Sequence, residues 1–319
     1  MIRWLPRILL GSLTLSTALF AAGGGQDDPR YWLQRMVDAA RSVSFSGDLV
    51  YVQGPQLDAL HIVRLHDGGE QHERLYSLSG PDREILRDGR QVTRIFPADQ
   101  AVMVDQSEGR RRLTDLTSDQ ITHLESWYSV SLDGEDRIAD RPAVRVEIEP
   151  RDEHRYGYKL WLDRDSGLLL RSQMKSLDGD VLEQFMYVEI RFNEIDRKAV
   201  ASSVNHEGFR YLGVESETRP PRSGEWTAND LPAGFRLLSE GWWRMPGVKD
   251  IVRHQMYGDG LGSVSVYIAS DIGKPFHGQS SHGAMHVVGH VIDDHQVTVV
   301  GDVPLGTVKR ILKGLEYRH

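Results

Sequence analysis

Three histidines spaced four apart, His282, His286 and His290, stand in the stretch SSHGAMHVVGH, with His277 before them and His295 after. Imidazole nitrogens are common zinc ligands, and a spacing of four stacks two of them on one face when the backbone is helical. The neighbouring residues argue for a different backbone. MHVVGHVIDDHQVTVVGDV is dense in β-branched valines, contains Gly289 and Gly301, and carries Asp293-Asp294 at its middle. That is the composition of a strand, a tight turn and a second strand. Positions four apart along a strand are separated by about 13 Å, whereas zinc holds its nitrogens at about 2.0–2.1 Å. His286 and His290 then share a face without converging. Only His290 and His295, flanking the turn, can approach, which gives two ligands at most. SSHGAMHVVGH therefore reads as the first strand of a hairpin, with no metal site expected. Its histidines titrate near neutrality, so they are candidates for pH sensitivity at a docking surface.

Other chemistries find less support. DRDSG, Asp163 to Gly167, resembles a calcium loop, but its glycine falls one position early and Met174 stands where the final glutamate is required. There is no Gly-x-Ser-x-Gly elbow, no phosphate loop, no dinucleotide fingerprint and no cysteine. The expectation is a chain with no catalytic residues and no cofactor. Trp242 and Trp243 in EGWWRMPG stand out: adjacent residues of a strand point to opposite faces, so one enters the core and the other is left exposed, beside Arg244 and Met245. An exposed tryptophan suits a protein-binding surface, and serves a homodimer as readily as a heterologous complex.

The elements that position these residues follow from the periodicities. Arg3 and Arg7 flank a charged start, Ile8 to Phe20 is apolar and uncharged, and Ala21-Ala22-Gly23 supplies small residues. A bilayer span needs about 20 residues and this run is shorter, so residues 1–22 read as a cleaved signal peptide. An exported chain without cysteine has neither a disulfide framework nor a lipidated cysteine, which fits the periplasm. Removing Arg3 and Arg7 takes the formal net charge from −8 to −10, a poor balance for a nucleic-acid binder. The deficit lies wholly before residue 226: residues 226–319 hold nine Lys/Arg against nine Asp/Glu, and seven of the thirteen histidines. Two compositions imply two domains.

DDPRYWLQRMVDAARSVS predicts a helix with Pro29 in its first turn and Trp32, Met36 and Ala40 on one face. TSDQITHLESWYS predicts a second, with Ile121, Leu124 and Tyr128 together. EILRDGRQVTRIFPADQAVMVD gives a hairpin at Asp88-Gly89 and a turn at Pro97. In AVRVEIE, Val144, Val146 and Ile148 face one way; in YGYKLWLD, Tyr156, Tyr158, Leu160 and Leu162 do; LLLRSQMKS and VLEQFMYVEIRFNEI continue the alternation. Residues 30–210 read as one strongly curved antiparallel sheet under two helices, and such a sheet can leave a hollow for a lipid. The polar stretch over 211–225, with Pro220-Pro221, reads as a stiff linker. VPLGTVKRILKGLEY predicts a closing helix with Val308, Ile311, Leu312 and Leu315 in one stripe.

In this order, PRYWLQRMVDAARSVSFSGDLVYVQG, YKLWLDRDSGLLLRSQM, LPAGFRLLSEGWWRMPG, HQMYGDGLGSVSVYI and VTVVGDVP resemble the RseB/MucB family of periplasmic sigma-E factor regulatory proteins, across essentially the whole mature chain. FSGDLVY and LWLDRDSGLLLRSQ also suit the fold of the lipoprotein carrier LolA. The resemblance implies an α+β protein. Residues 23–210 would form a LolA-like open antiparallel half-barrel with covering helices, which senses lipid. Residues 226–319 would form a smaller antiparallel-sheet domain with a helix, which binds the periplasmic domain of a transmembrane anti-sigma factor of the RseA or MucA type. Binding would shield that partner from site-1 proteolysis until lipopolysaccharide or a related lipid releases it. The alternative is a periplasmic lipid or lipoprotein carrier of LolA type. Candidate lipid contacts are the apolar-face residues Leu49, Tyr51, Tyr158, Leu160, Met186 and Val188; candidate partner contacts are Trp242, Trp243 and Tyr257.

Overall fold

The computed structural model describes residues 25–89, 91–105, 113–192, 194–219, 224–245, 248–270 and 275–318; the signal peptide expected over 1–22 lies outside the described residues. Helix α1 (Pro29–Ser42) starts where the sequence places it. The Asp28 carboxylate accepts the Arg30 N–H, and Pro29, which has no N–H to offer, occupies a position where none is needed. Trp32, Leu33, Met36 and Val37 are all buried, each contributing about 1.5–3 kcal/mol.

The first domain alternates strands with short turns: β1 (Phe45–Gln53), β2 (Gln56–Asp67), β3 (Glu70–Ser77), β4 (Glu84–Asp88), β5 (Gln91–Phe96), β6 (Ala101–Asp105), β7 (Tyr128–Ile138), β8 (Arg141–Pro150), β9 (Gly157–Asp163), β10 (Leu169–Lys175) and β11 (Val181–Arg191). They pair antiparallel in the order β6-β5-β4-β3-β2-β1-β11-β10-β9-β8-β7. Only the β1–β11 pairing skips along the chain. Bulges at Asp48/Leu49 and Leu132/Glu135 bend the strands and deepen the curl. At the first bulge Gly47 comes so close to β11 that a Cβ would stand 2.5 Å from the Glu189 carbonyl oxygen. The meander has the expected register: Val144, Val146 and Ile148 face Leu162, Leu160 and Tyr158. Those six side chains form the floor on which α1 and α2 (Ser118–His123) rest. Thr117 caps α2 with a reciprocal Gln120 contact.

The second domain comprises β13 (Glu225–Ala228), β14 (Arg236–Arg244), β15 (Ile251–Gly258), β16 (Ser263–Ala269), β17 (Gly278–His282), β18 (Met285–Ile292), β19 (His295–Gly301), α3 (Leu305–Lys313) and β20 (Leu315–Arg318). Its main sheet is antiparallel, β14-β15-β16-β19-β18-β17, and β13 pairs separately with β20. Val264, Val266, Val297 and Val299 pack against Val308 and Ile311 of α3. The Asp293-Asp294 turn has φ of 44° and 58°, the mirror-image geometry that matches strand twist. One expectation is corrected here. SSHGAMHVVGH is not a single strand: Gly283, at φ +56°, turns the chain so that His282 ends β17 and His286 and His290 belong to β18.

The stretch 211–225, expected as a stiff linker, takes part in both sheets. Strand β12 (Arg210–Glu217) pairs parallel with β6 over Arg210–Val214 and then antiparallel with β14 over Glu215–Glu217. The open edge of each sheet supplies its ladder partners, which alternation along the chain does not reveal. Pro220 and Pro221 lie outside the described residues. The whole is an α+β fold.

Candidate functional site

The curl of the first sheet leaves a cleft of about 870 Å³ on its concave side, within the range of small-molecule sites. Phe45, Leu49 and Tyr51 of β1, Leu60 and Ile62 of β2, Leu75 of β3, Tyr158 of β9 and Phe185 and Tyr187 of β11 form its apolar walls. At one side stand Arg64, Arg87 and Arg94, with Arg64 bonded to Glu73 at 2.6 Å. Glu73, Asp115, Glu183 and Asp302 share the lining with these arginines, so the cleft joins apolar walls to a mixed-charge margin. The last part of the wall comes from the other domain: Leu261, in the β15–β16 turn, and Asp302. Leu261 is 6% exposed and belongs to the core cluster beneath α1 and α2.

Of the sequence candidates, Leu49, Tyr51 and Tyr158 line this cleft, while Leu160, Met186 and Val188 do not. Leu160 shares a face with Tyr158 but is fully buried where the helices cover the sheet. Met186 and Val188 alternate with Phe185 and Tyr187 and so point to the convex side, where Val188 is 58% exposed. Both faces of β11 are rich in apolar residues, so its alternation does not say which face is concave. The Phe185/Tyr187 face is therefore not legible as the cleft wall from sequence alone.

The domains meet on three consecutive residues of the β8–β9 turn. Arg155 is fully buried. Its guanidinium bonds Asp259 at 2.8 Å, Asp152 at 2.9 Å and the Ala233 carbonyl at 2.6 Å, with the rings of Trp127, Tyr128 and Phe235 each within 5.5 Å. Asp259 also accepts the Tyr128 hydroxyl and the N–H groups of Leu261 and Gly262. Burial pushes the Asp259 carboxyl up, against the pull of Arg155. The same burial, reinforced by the Asp259 charge, raises Tyr128 well above the ordinary phenol. On one side, Thr307 of α3 donates to the His154 carbonyl at 3.0 Å and Arg310 reaches the His154 ring at 2.9 Å. On the other, Tyr156 Oη lies 3.0 Å from His286 Nε2, with Ser281 Oγ 2.6 Å from Nδ1. Burial lowers the His286 pKa and pushes Tyr156 to about 12. None of this seam is signalled locally, because Arg155 and Asp259 are 104 positions apart.

The partner candidates divide. Tyr257 is buried in the second core, donating to Gln255 Oε1 at 3.1 Å, and offers no surface; a tyrosine in an alternating strand is equally suited to core, and β15 is covered on both faces. Trp242 and Trp243 are both half-buried instead of one in and one out. The Arg219 and Arg253 guanidiniums lie 5.5 and 5.6 Å from the centroid of the Trp242 ring, and Trp243 packs on His254 with ring centroids 4.0 Å apart.

The spacing-of-four histidines do not converge. His282 is on the exposed edge strand, His286 is at the domain seam, and His295 packs against Trp226 and Tyr317 instead of approaching His290. Glu70, His72 and Asp88 form the one group of three or more donor side chains that lie close enough for a shared ion among the described residues. There His72 Nδ1 lies 3.0 Å from Asp88 while its Nε2 faces Glu70 at 3.9 Å. Only Nδ1 is within hydrogen-bond distance of a carboxylate; Nε2 is buried without a hydrogen-bond partner.

Comparison with known proteins covers both domains. Residues 28–205 match the model of the MucB/RseB N-terminal domain and residues 220–316 that of the MucB/RseB C-terminal domain. The chain is 34% identical over 322 residues to the sigma factor AlgU regulatory protein MucB of Pseudomonas aeruginosa, covering 95% of this chain and 94% of that one. It is 24% identical to the sigma-E factor regulatory protein RseB of Escherichia coli, covering 96% of each. Among solved structures, the complex of Pseudomonas aeruginosa MucA and MucB contains a chain that superposes with a TM-score of 0.73 at 29% identity, covering 92% of this chain and 99% of that one.

Proposed function

Since this chain belongs to the MucB/RseB family, we propose that it is a periplasmic negative regulator of an envelope-stress sigma factor. It binds the periplasmic segment of a membrane-spanning anti-sigma factor of the MucA/RseA type and shields that segment from the site-1 protease. It lets go when lipopolysaccharide or a related lipid occupies the cleft. The relatives' names and the MucA/MucB complex support the first step. The observation that carries the last is the shared wall: Leu261 of the second domain closes a cleft built by the first.

A ligand shifts an equilibrium only by its differential affinity for the two states. A cleft lined by one domain alone would bind lipid equally however the domains were set. Because Leu261 is both cleft wall and domain contact, an acyl chain that displaces it presses on the loop holding Asp259. Lipid affinity and domain seating then become linked, and by reciprocity so do lipid and partner.

The test uses the mature chain and the anti-sigma periplasmic segment, with binding followed by calorimetry and protection by site-1 cleavage. Binding with protection, reversed by lipopolysaccharide, is expected. Tyr51→Glu, at a half-buried cleft position, should bind the segment normally and resist release by lipid. No binding to the segment overturns the regulator reading; normal release from the folded variant overturns the cleft as the lipid site.

A further inference from the structure

His290 has a neighbour that spacing along the chain conceals. The β17–β18 ladder begins at Gly278 opposite Gly289. One step outward, the same register sets His277 opposite His290, and residues facing each other in an antiparallel pair hold their Cβ atoms about 4.5–5.5 Å apart. The two rings meet edge to face with centroids 5.3 Å apart, and their Nδ1 atoms stand 3.4 Å apart. That is long for a hydrogen bond, whose usual span is about 2.7–3.2 Å. Two nitrogens at about 2.0–2.1 Å from one tetrahedral centre are about 3.3–3.4 Å from each other. Both side chains are exposed, so an ion reaches them from solvent and keeps water on its remaining positions.

The backbone under the pair is held from two directions. Gln296 of β19 accepts the Phe276 N–H at 2.7 Å, and its amide donates to the Phe276 carbonyl at 3.1 Å and to the His290 carbonyl at 3.3 Å. One side chain thus ties the residue before His277 to His290 itself. The Phe276 ring lies over Gly289, where a Cβ would stand 2.0 Å from ring atom Cδ1; only glycine leaves room for it. The spacing of the two backbone positions is therefore set when the domain folds, and an incoming ion has only the side-chain torsions left to order.

We propose that His277 and His290 form a two-histidine site for a divalent transition-metal ion of the zinc or copper class, each ligating through Nδ1. Imidazole nitrogens suit these ions, with copper(II) bound more tightly than zinc(II). The pair offers no oxygen donors of the kind calcium and magnesium require.

The experiment is a calorimetric titration of the mature, tag-free chain with zinc chloride alone, paired with imidazole ¹⁵N spectra. Expected are zinc binding that weakens by at least about tenfold in His277→Gln and in His290→Gln, the scale on which even a ligand's outer-shell partner acts, and zinc-induced shifts at both Nδ1 atoms. His282→Gln, His295→Gln and His72→Gln should leave the affinity within about twofold, since none of the three donates to the proposed ion and changes without a shared partner act independently. All these positions except His72 and His295 are exposed, and an unchanged circular dichroism spectrum verifies folding of each variant. Absence of binding, retention of native affinity in both test variants, or a loss that follows His72→Gln instead overturns the proposal.

Discussion

Asp259→Asn probes the joint between the domains most directly. The Asp259 and Arg155 side chains are both fully buried, 2.8 Å apart. The amide keeps the shape of the carboxylate and one acceptor. That acceptor can satisfy either the Leu261 and Gly262 N–H groups or the Arg155 and Tyr128 donors, never both sets, and the amide's NH₂ then faces donors. Arg155 retains Asp152 and the Ala233 carbonyl, so its charge is not left wholly bare. Removing one partner of a buried pair costs about 3–5 kcal/mol, and the residual Asp152 contact places this case toward the lower end. Urea unfolding followed by tryptophan fluorescence reads the loss. Trp127 is a local reporter, since its ring packs against Gly234 beside the same seam. A single variant within about 0.5 kcal/mol of native, the range of ordinary surface changes, would refute the view that this pair seats the second domain on the first.

Leu261→Ala should cost about 2–5 kcal/mol, the range for emptying a core site, whereas Leu237→Ala, at 47% exposure, should stay within about 0.5 kcal/mol; equal costs in urea unfolding would remove Leu261 from the shared wall. The lowered His286 pKa means the unfolded chain binds that proton more readily. Its contribution is therefore complete above the unfolded value of 6.5 and is lost as pH falls through the lower folded value. His286→Gln should show a smaller stability loss between pH 7.5 and 5 than the native chain, and superimposable profiles would contradict this. At Asp163, burial opposes ionisation, but the Arg141 and Ser166 hydrogen bonds outweigh it and hold the carboxyl below 3.8. Its stabilisation is thus present above 3.8 and lost as pH falls through the lowered value. Asp163→Asn should cost about 1.5–3 kcal/mol at pH 7 for each charged hydrogen bond lost and flatten the acid limb of the stability curve.

Much of the fold is legible in local pattern. Pro29 with Trp32 and Met36 announces α1, and the alternation of Val144, Val146 and Ile148 announces the meander with its buried face. The valine-rich stretch around Asp293-Asp294 announces a hairpin, and with it the failure of the four-residue histidine spacing as a chelate. These features depend on contacts within a few residues or between neighbouring strands. The cleft is half legible: Leu49, Tyr51 and Tyr158 line it as their alternation suggests, whereas β11 is ambiguous because Met186 and Val188 are as apolar as Phe185 and Tyr187.

What the amino-acid sequence determines by itself is the set of periods: which segments are strands, which face of most of them is apolar, and where most of the turns fall. The tertiary structure alone decides which distant groups meet. Arg155 finds Asp259, Leu261 closes a cleft built by β1 and β11, and His277 faces His290. Each of these meetings depends on the summed curvature of a bulged sheet or on the register left by a turn. A residue's own propensity carries no information about such sums, so the histidines that face each other are thirteen positions apart and the four-residue spacing of His282, His286 and His290 joins none.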